Sequence, residues 1–340
     1  MDNNILLSIA SIGVLGIACQ WFAWWVRIPS ILFLLTVGII VGPVLNLINP
    51  DALFGNLLFP FISLSVAVIL FEGSLTLKFE DIRGHGKTVS NLVSTGALIT
   101  WLIIGYSTYH LLNLPIELAF LFGAIVVVTG PTVIIPMLRT VRPNTKVANV
   151  LRWEGIVIDP LGALLAVLVF DFIISGQQNN ALGMIFLTFG KIIFSGLIIG
   201  FVSGWSIGEL LRKQYVPQYL RNIFTLISVF AIFVISEMIE SESGLLAVTV
   251  MGITMANMKD MDIDNILDFK ESLSVLLISA LFIILAARIE LHELIHVGWP
   301  AIILLGIIIF VARPISVFTS SIGSDLTVNE KLMVSWIGPR

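Results

Sequence analysis

The sequence predicts an all-α, polytopic membrane protein. Three observations carry that prediction. Of 340 residues, 57% are hydrophobic and only 12% are charged, about half the charge of an ordinary soluble domain. Mean hydropathy is +1.03. Apolar runs of the length that crosses a bilayer, about 20 residues, follow one another along the chain. A water-soluble fold of this length could not cover so much apolar surface. The composition therefore excludes a soluble enzyme, a nucleic-acid binder and a disordered chain, and the net charge of −4 gives no footprint for nucleic acid. No cofactor fingerprint or metal-ligand spacing is present.

The spans read, in order, Ile5–Val26, Ser30–Ile48, Leu53–Leu77, Val89–Leu112, Ile116–Leu138, Val150–Ile174, Leu182–Leu211, Leu220–Ile239, Leu245–Met258, Ser272–Ala287, Val297–Ser320, and a start at Lys331. The first follows Met1-Asp2-Asn3-Asn4, which has no basic n-region, and is too long for a signal-peptide core, so it reads as a retained span. The seventh is long enough to require strong tilt. The ninth is short. The run from Lys331 to Arg340 reads as a further span cut soon after it opens. Of 18 Lys and Arg, 14 fall in one set of alternate loops, including Lys78, Arg83 and Lys87, then Arg139, Arg142, Lys146 and Arg152. The opposite loops carry acids such as Glu117, Asp171, Glu237 and Glu242. The positive-inside rule then puts the N-terminus outside.

Two consecutive spans break the apolar rule. Span five contains Thr129-Gly130-Pro131-Thr132 and then Pro136. Pro131 removes a helical hydrogen bond, and an interrupted helix at membrane depth is tolerated against protein or a wet cavity. It is either a broken helix offering carbonyls and helix ends to an ion or a plain proline kink. Span six contains Glu154 and Asp159-Pro160. Asp159 falls about a third of the way into the span, where a carboxylate costs on the order of 3 kcal/mol. A cation ligand that also titrates is the functional reading, and an aspartate satisfied by backbone or arginine is the plain one. Glu154 and Asp159 lie about 140° apart around a helix, so they do not form an acid/base pair. Arg313, inside span eleven, is the charge expected to neutralise Glu154.

The remaining residues carry weaker signals. Glu72 is an interfacial carboxylate or part of an entry funnel. Lys191 snorkels or forms a buried pair. Cys19 is a small lipid- or helix-facing residue. His292 and His296, four apart, read as interfacial rather than metal-binding. Asp260, Asp262 and Asp264 lack calcium-loop spacing. Trp21, Trp24, Trp25, Trp153, Trp299 and Trp336 read as interface anchors. Gly196 and Gly200 make a helix-contact signal.

Thr129-Gly130-Pro131, Glu154 with Asp159-Pro160, Arg313-Pro314 and Trp336-Ile337-Gly338-Pro339-Arg340, with the basic loop between spans five and six, together resemble the NhaP-type monovalent cation:proton antiporters of bacteria. That resemblance implies thirteen spans in two inverted repeats, with a dimer domain, a six-helix transport bundle, and spans five and twelve as crossed, interrupted helices. It implies residues 1–88 and 181–270 as scaffold and 89–175 and 271–340 as bundle. Asp159 matches the cation- and proton-binding aspartate, Thr129 an ion ligand, Gly130 and Pro131 the interruption, and Glu154 and Arg313 a structural ion pair. The implied activity is exchange of Na⁺ or K⁺ for H⁺ across the bacterial inner membrane, in pH and cation homeostasis, by a homodimer that often has a cytoplasmic regulatory domain. A cation channel, or a fragment that does not transport, is the alternative. Two departures stand out: Gly130 where the family often has Asp, and Ile158 where it often has Asn. They remove an acid and a polar neighbour, leave both Na⁺ and K⁺ as expected cargo, and favour electroneutral exchange.

Overall fold

In the computed structural model, residues 3–130, 133–134, 137–138, 141–175, 181–259 and 264–338 are described. Among them no strand occurs; every regular element is helical. The first helices are α1 (Asn3–Val26), α2 (Ser30–Ile39), α3 (Pro50–Phe54), α4 (Leu58–Leu75), α5 (Gly86–Asn91), α6 (Ala97–Leu112) and α7 (Ile116–Val126). After the interruption come α8 (Thr145–Ser175), α9 (Ala181–Arg212), α10 (Arg221–Ile239), α11 (Gly244–Ala256), α12 (Asp264–Ala287), α13 (Leu291–Ile307), α14 (Arg313–Ser320) and α15 (Val328–Ile337). Among the described residues, seven helical stretches are long and apolar enough to cross a membrane, and four shorter apolar ones accompany them.

Three π turns widen these helices: Ile40–Val44 after α2, Leu92–Gly96 between α5 and α6, and Ile308–Ala312 between α13 and α14. At 32 residues, α9 extends about 48 Å, well beyond a hydrocarbon core of about 30 Å.

The helices sort into two groups by packing. The first holds α1–α4 and α9–α12. Its core joins Phe71 and Leu75 of α4, Ile207 of α9, Phe233 of α10 and Met251 and Met255 of α11. Lipid is as apolar as leucine, so close backbone approach rather than hydrophobic drive binds such helices. The glycines of α9 at 196, 200, 204 and 208 form one stripe, and α11 lies in it. A Cβ on Gly196 would meet Leu246 Cβ at 3.0 Å, and one on Gly204 would meet the Met251 carbonyl at 2.7 Å. The short α11 is thus held by contact rather than by length.

Residues 272–287 depart from the expected division at 271. They belong to α12, which packs against α1, α2 and α4. Gly38 of α2 admits it, since a Cβ there would meet the Ile283 carbonyl at 2.8 Å. Cys19 is buried in the same cluster, with Leu34, Leu58 and Ile284, so it faces helices rather than lipid.

The second group holds α5–α8 and α13–α15. Its π turns sit at a crossing. The Ser316 hydroxyl donates to the Gly96 carbonyl at 2.9 Å, and Asn91 Nδ2 donates to the Ser320 carbonyl at 3.1 Å.

Candidate functional site

Helix α7 ends at Val126, and the Val127 N–H still donates to the Gly123 carbonyl. Residues 128–130 then leave the helical path. The Gly130 carbonyl restarts it by accepting from the N–H groups of Val133 and Ile134, at 3.2 and 3.3 Å. The break therefore falls at Val128, Thr129 and Gly130. Pro131, Thr132 and Pro136 lie outside the described residues. Thr129 is only 1% exposed, and its hydroxyl has no hydrogen-bond partner among the described residues. A buried, unanswered hydroxyl is rare and calls for a ligand or water.

Helix α8 lies against this break. Gly155, Asp159 and Gly162 share one face, at positions i, i+4 and i+7. A Cβ on Gly155 would meet the Thr129 carbonyl at 3.1 Å, and one on Gly162 would meet Val128 Cβ at 3.5 Å. Asp159 lies between these two contacts and is half-buried. The face that carries the deep carboxylate is therefore the face that touches the broken segment. Pro160, inside α8, cannot donate to the Ile156 carbonyl, which leaves that oxygen short of its helical partner.

Glu154 points elsewhere. It is fully buried and Arg313 is 1% exposed. Their contact is a two-pronged ion pair: Nη1 to Oε1 at 2.5 Å and Nη2 to Oε2 at 2.8 Å. Arg313 Nη2 also donates to the Val334 carbonyl at 3.3 Å, at the last turn of α15. The guanidinium thus meets the negative end of that helix as well as the carboxylate. Gly338 makes room, since a Cβ there would lie 3.2 Å from Arg313 Cζ.

At the Lys/Arg-rich ends of these helices a second set of contacts ties α8 to α15. Thr327 and Glu330 form a capping box on α15. The same carboxylate accepts from Asn144 Nδ2 at 2.9 Å, and Asn144 in turn accepts from the Val147 N–H at 2.9 Å. Lys146 donates to the Asp325 carbonyl and Lys331 to that of Ser321. The Thr327 N–H, followed by Asn144, holds the Glu330 carboxyl down at about 2. The Thr-x-x-Glu spacing of the capping box is legible in sequence. The reach of Asn144 across to it is not.

The other expectations resolve as follows. Trp153 is not an interface anchor: it is 7% exposed and stacks on Phe79, centroids 5.6 Å apart. Trp21, Trp24, Trp25, Trp299 and Trp336 are exposed. Lys191 is exposed on α9 rather than buried in a pair, and Glu72 is half-buried near the end of α4. The side chains of His292, His296 and Asp264, and residues Asp260 and Asp262, lie outside the described residues. Among the described residues no cluster of three His, Cys, Asp or Glu could hold a metal ion.

The chain matches the family described as "Sodium/hydrogen exchanger, transmembrane" over residues 6–340. It is 32% identical to Na(+)/H(+) antiporter 1 of Methanocaldococcus jannaschii, across 99% of this chain and 81% of that protein. It is 25% identical to the K(+)/H(+) antiporter NhaP of Alkalimonas amylolytica, across 99% of this chain and 58% of that protein. The solved structure of the sodium proton antiporter MjNhaP1 from Methanocaldococcus jannaschii superposes with a TM-score of 0.83 at 26% identity, covering 98% of this chain and 82% of that one. These relatives are antiporters, which favours that reading over a channel. A broken helix packed on a helix with one deep aspartate, in an all-helical fold that superposes on a known antiporter, leads to one conclusion: the chain belongs to the sodium/hydrogen exchanger family of membrane antiporters.

Proposed function

We propose that the protein exchanges a monovalent cation, Na⁺ or K⁺, for H⁺ by competition at Asp159. The observation that carries this reading is the face of α8 on which Asp159 lies, pressed at Gly155 and Gly162 against the broken segment holding the Thr129 hydroxyl. An ionised carboxylate is costly at membrane depth. A proton neutralises it, and so does a bound cation, so each loaded form crosses more readily than the empty one. The two ligands exclude each other, and this exclusion couples their flows. Thr129 and the carbonyls beside Gly130 supply the remaining oxygens for a hard cation.

With one deep carboxylate, the exchange is electroneutral, one cation for one proton. The Glu154–Arg313 pair acts structurally: it closes α8, α14 and α15 into one body. The scaffold ends with α12, and the bundle begins again at α13. The π turns of Leu92–Gly96 and Ile308–Ala312, one in each of two crossing helices, support an inverted relation between the repeats. The basic loops face the cytoplasm of a bacterial inner membrane, the N-terminus lies outside, and two copies associate through the scaffold.

The test is cation-dependent proton flux in proteoliposomes, followed with a pH-sensitive dye under Na⁺ and K⁺ gradients. Asp159→Asn is expected to reduce the flux to background while leaving folded yield intact. Exchange at the wild-type rate in that variant would overturn the assignment.

A further inference from the structure

The two groups of helices meet chiefly along α8, whose neighbours in the scaffold are α4, α9, α11 and the turn Phe79–Ile82. The turn makes the most specific of these contacts. Asn149 Nδ2 of α8 donates to the Asp81 carbonyl at 3.1 Å. One turn further along α8, the Trp153 ring stacks on Phe79 at 5.6 Å, with 30° between the planes.

The turn itself belongs to the scaffold through Asn257, the residue that ends α11. The Asn257 Oδ1 accepts from the Phe79 N–H at 2.7 Å, and its Nδ2 donates to the carbonyls of Leu77 and Ile253 at 2.9 and 2.8 Å. A continuous chain of contacts thus runs from α11 through Asn257 and the turn to Trp153 and Asn149. Trp153 adjoins Glu154 in sequence and stands six residues, about 9 Å along the axis, from Asp159.

Two features mark this contact as one that can open. Phe79 keeps most of its surface exposed beyond the stack, so its own ring parts from Trp153 at small cost, while Leu77 and Ile82 beside it share the apolar cluster of Trp153, Val147 and Val150. The Trp153 Nε1–H is buried with no partner among the described residues, so no hydrogen bond of that indole fixes α8 where it lies.

We infer that the Phe79–Ile82 turn, held by Asn257, is the docking point that positions the aspartate helix against the scaffold, and that its release accompanies the movement of Asp159 between the two sides. This rests on the exchange reading above. Phe79, Asn149, Trp153 and Asn257 are positioning residues: they touch neither cation nor proton, and act by weighting one position of α8 over another. Loosening the contact shifts that balance. The affinity seen from one side of the membrane is then reduced in proportion to the lost population, and the affinity from the other side rises.

The experiment measures the apparent KM for Na⁺ or K⁺ separately from each side, in oriented proteoliposomes of the full-length protein. For Asn149→Ala and Phe79→Ala the two KM values are expected to move in opposite directions, each by about threefold or more. Phe79→Tyr, which keeps the stack, stays at wild-type values. Phe79→Ala adds nothing once Trp153→Ala is present. Values that move together on both sides, or not at all, in folded protein would overturn the inference. Should Phe79→Ala not fold, Asn149→Ala decides alone, since it removes one exposed hydrogen bond. Absence of any exchange by the wild-type protein would instead defeat the functional reading, which separates the two failures.

Discussion

The scaffold and the bundle solve the same packing problem by opposite means. In the scaffold, α9 and α11 are joined by a stripe of glycines against Leu246, Val250 and Met251, and buried hydroxyls there, such as Ser74 and Thr249, donate within their own helices. In the bundle, the packing includes a buried ion pair, a helix break and two π turns. Apolar contact is tolerant and distributes its energy over many atoms. A buried ion pair is not tolerant: both charges depend on one geometry. The first group is built from many small contacts, and the second, which holds Asp159, from a few exacting ones.

That contrast can be broken at several points. The largest effect is expected at the ion pair. Glu154→Gln or Arg313→Met alone strands a buried charge and should cost about 3–5 kcal/mol, seen as a steep loss of folded protein in detergent by size-exclusion chromatography. The double variant, which leaves neither charge, should recover much of that loss. Singles that fold as well as wild type would remove the contrast.

Next in size is the glycine stripe. Gly204→Leu forces a side chain into the Met251 backbone, and overpacking of this kind costs about 1–3 kcal/mol. Its thermal unfolding midpoint should fall, while the cation dependence of residual exchange stays unchanged.

A smaller and opposite signature belongs to Thr129. Thr129→Val keeps the shape and removes the buried hydroxyl, so the cation KM should rise about tenfold, in keeping with a hydrogen-bond-sized loss of about 1.5 kcal/mol, with no change in unfolding temperature. Thr129→Ser should restore it. Unchanged KM in Thr129→Val would leave the hydroxyl without a role in the site.

The smallest effect is expected at Glu330. Its carboxyl is held at about 2 in the fold against 4.5 ordinarily, so its stabilisation is complete above the ordinary value and is lost as pH falls through about 2. The difference in unfolding temperature between wild type and Glu330→Gln should therefore be small and flat from about pH 6 to 9 and shrink only in acid. A slope near neutrality would contradict that.

Much of the fold was legible because membrane spans obey a one-dimensional rule. Length, apolarity and the side on which Lys and Arg collect need no knowledge of contacts, and among the described residues each of the eleven apolar helical stretches overlaps one of the spans read from sequence. Glu154, Asp159 and Arg313 stood out for the same reason, as charges where charges are costly. What escaped was everything set by a neighbour distant in sequence. Trp153 sits near a span end like the exposed tryptophans, and residues distant in sequence bury it, with Leu77 in its apolar cluster and Phe79 stacked on its ring. Asn257 is one polar residue at the end of the short ninth span until its amide is seen bridging Leu77 and Phe79. The side of the division on which residues 272–287 fall was set by the fit of Ile283 against Gly38, a contact between segments more than two hundred residues apart.

The π turn at Ile308–Ala312 has a consequence for how the gene can be edited. Such a turn holds one residue more than the α-helix needs, so it is a built-in insertion. Deleting a single residue there is therefore expected to return the helix to regular winding while Arg313, the first residue beyond the turn, keeps nearly its present face. The same deletion in a stretch of regular α-helix just before the turn would rotate everything beyond by about 100° and swing Arg313 away from Glu154. The turn is thus a place where this helix can lose a residue and still deliver its charge to the same partner.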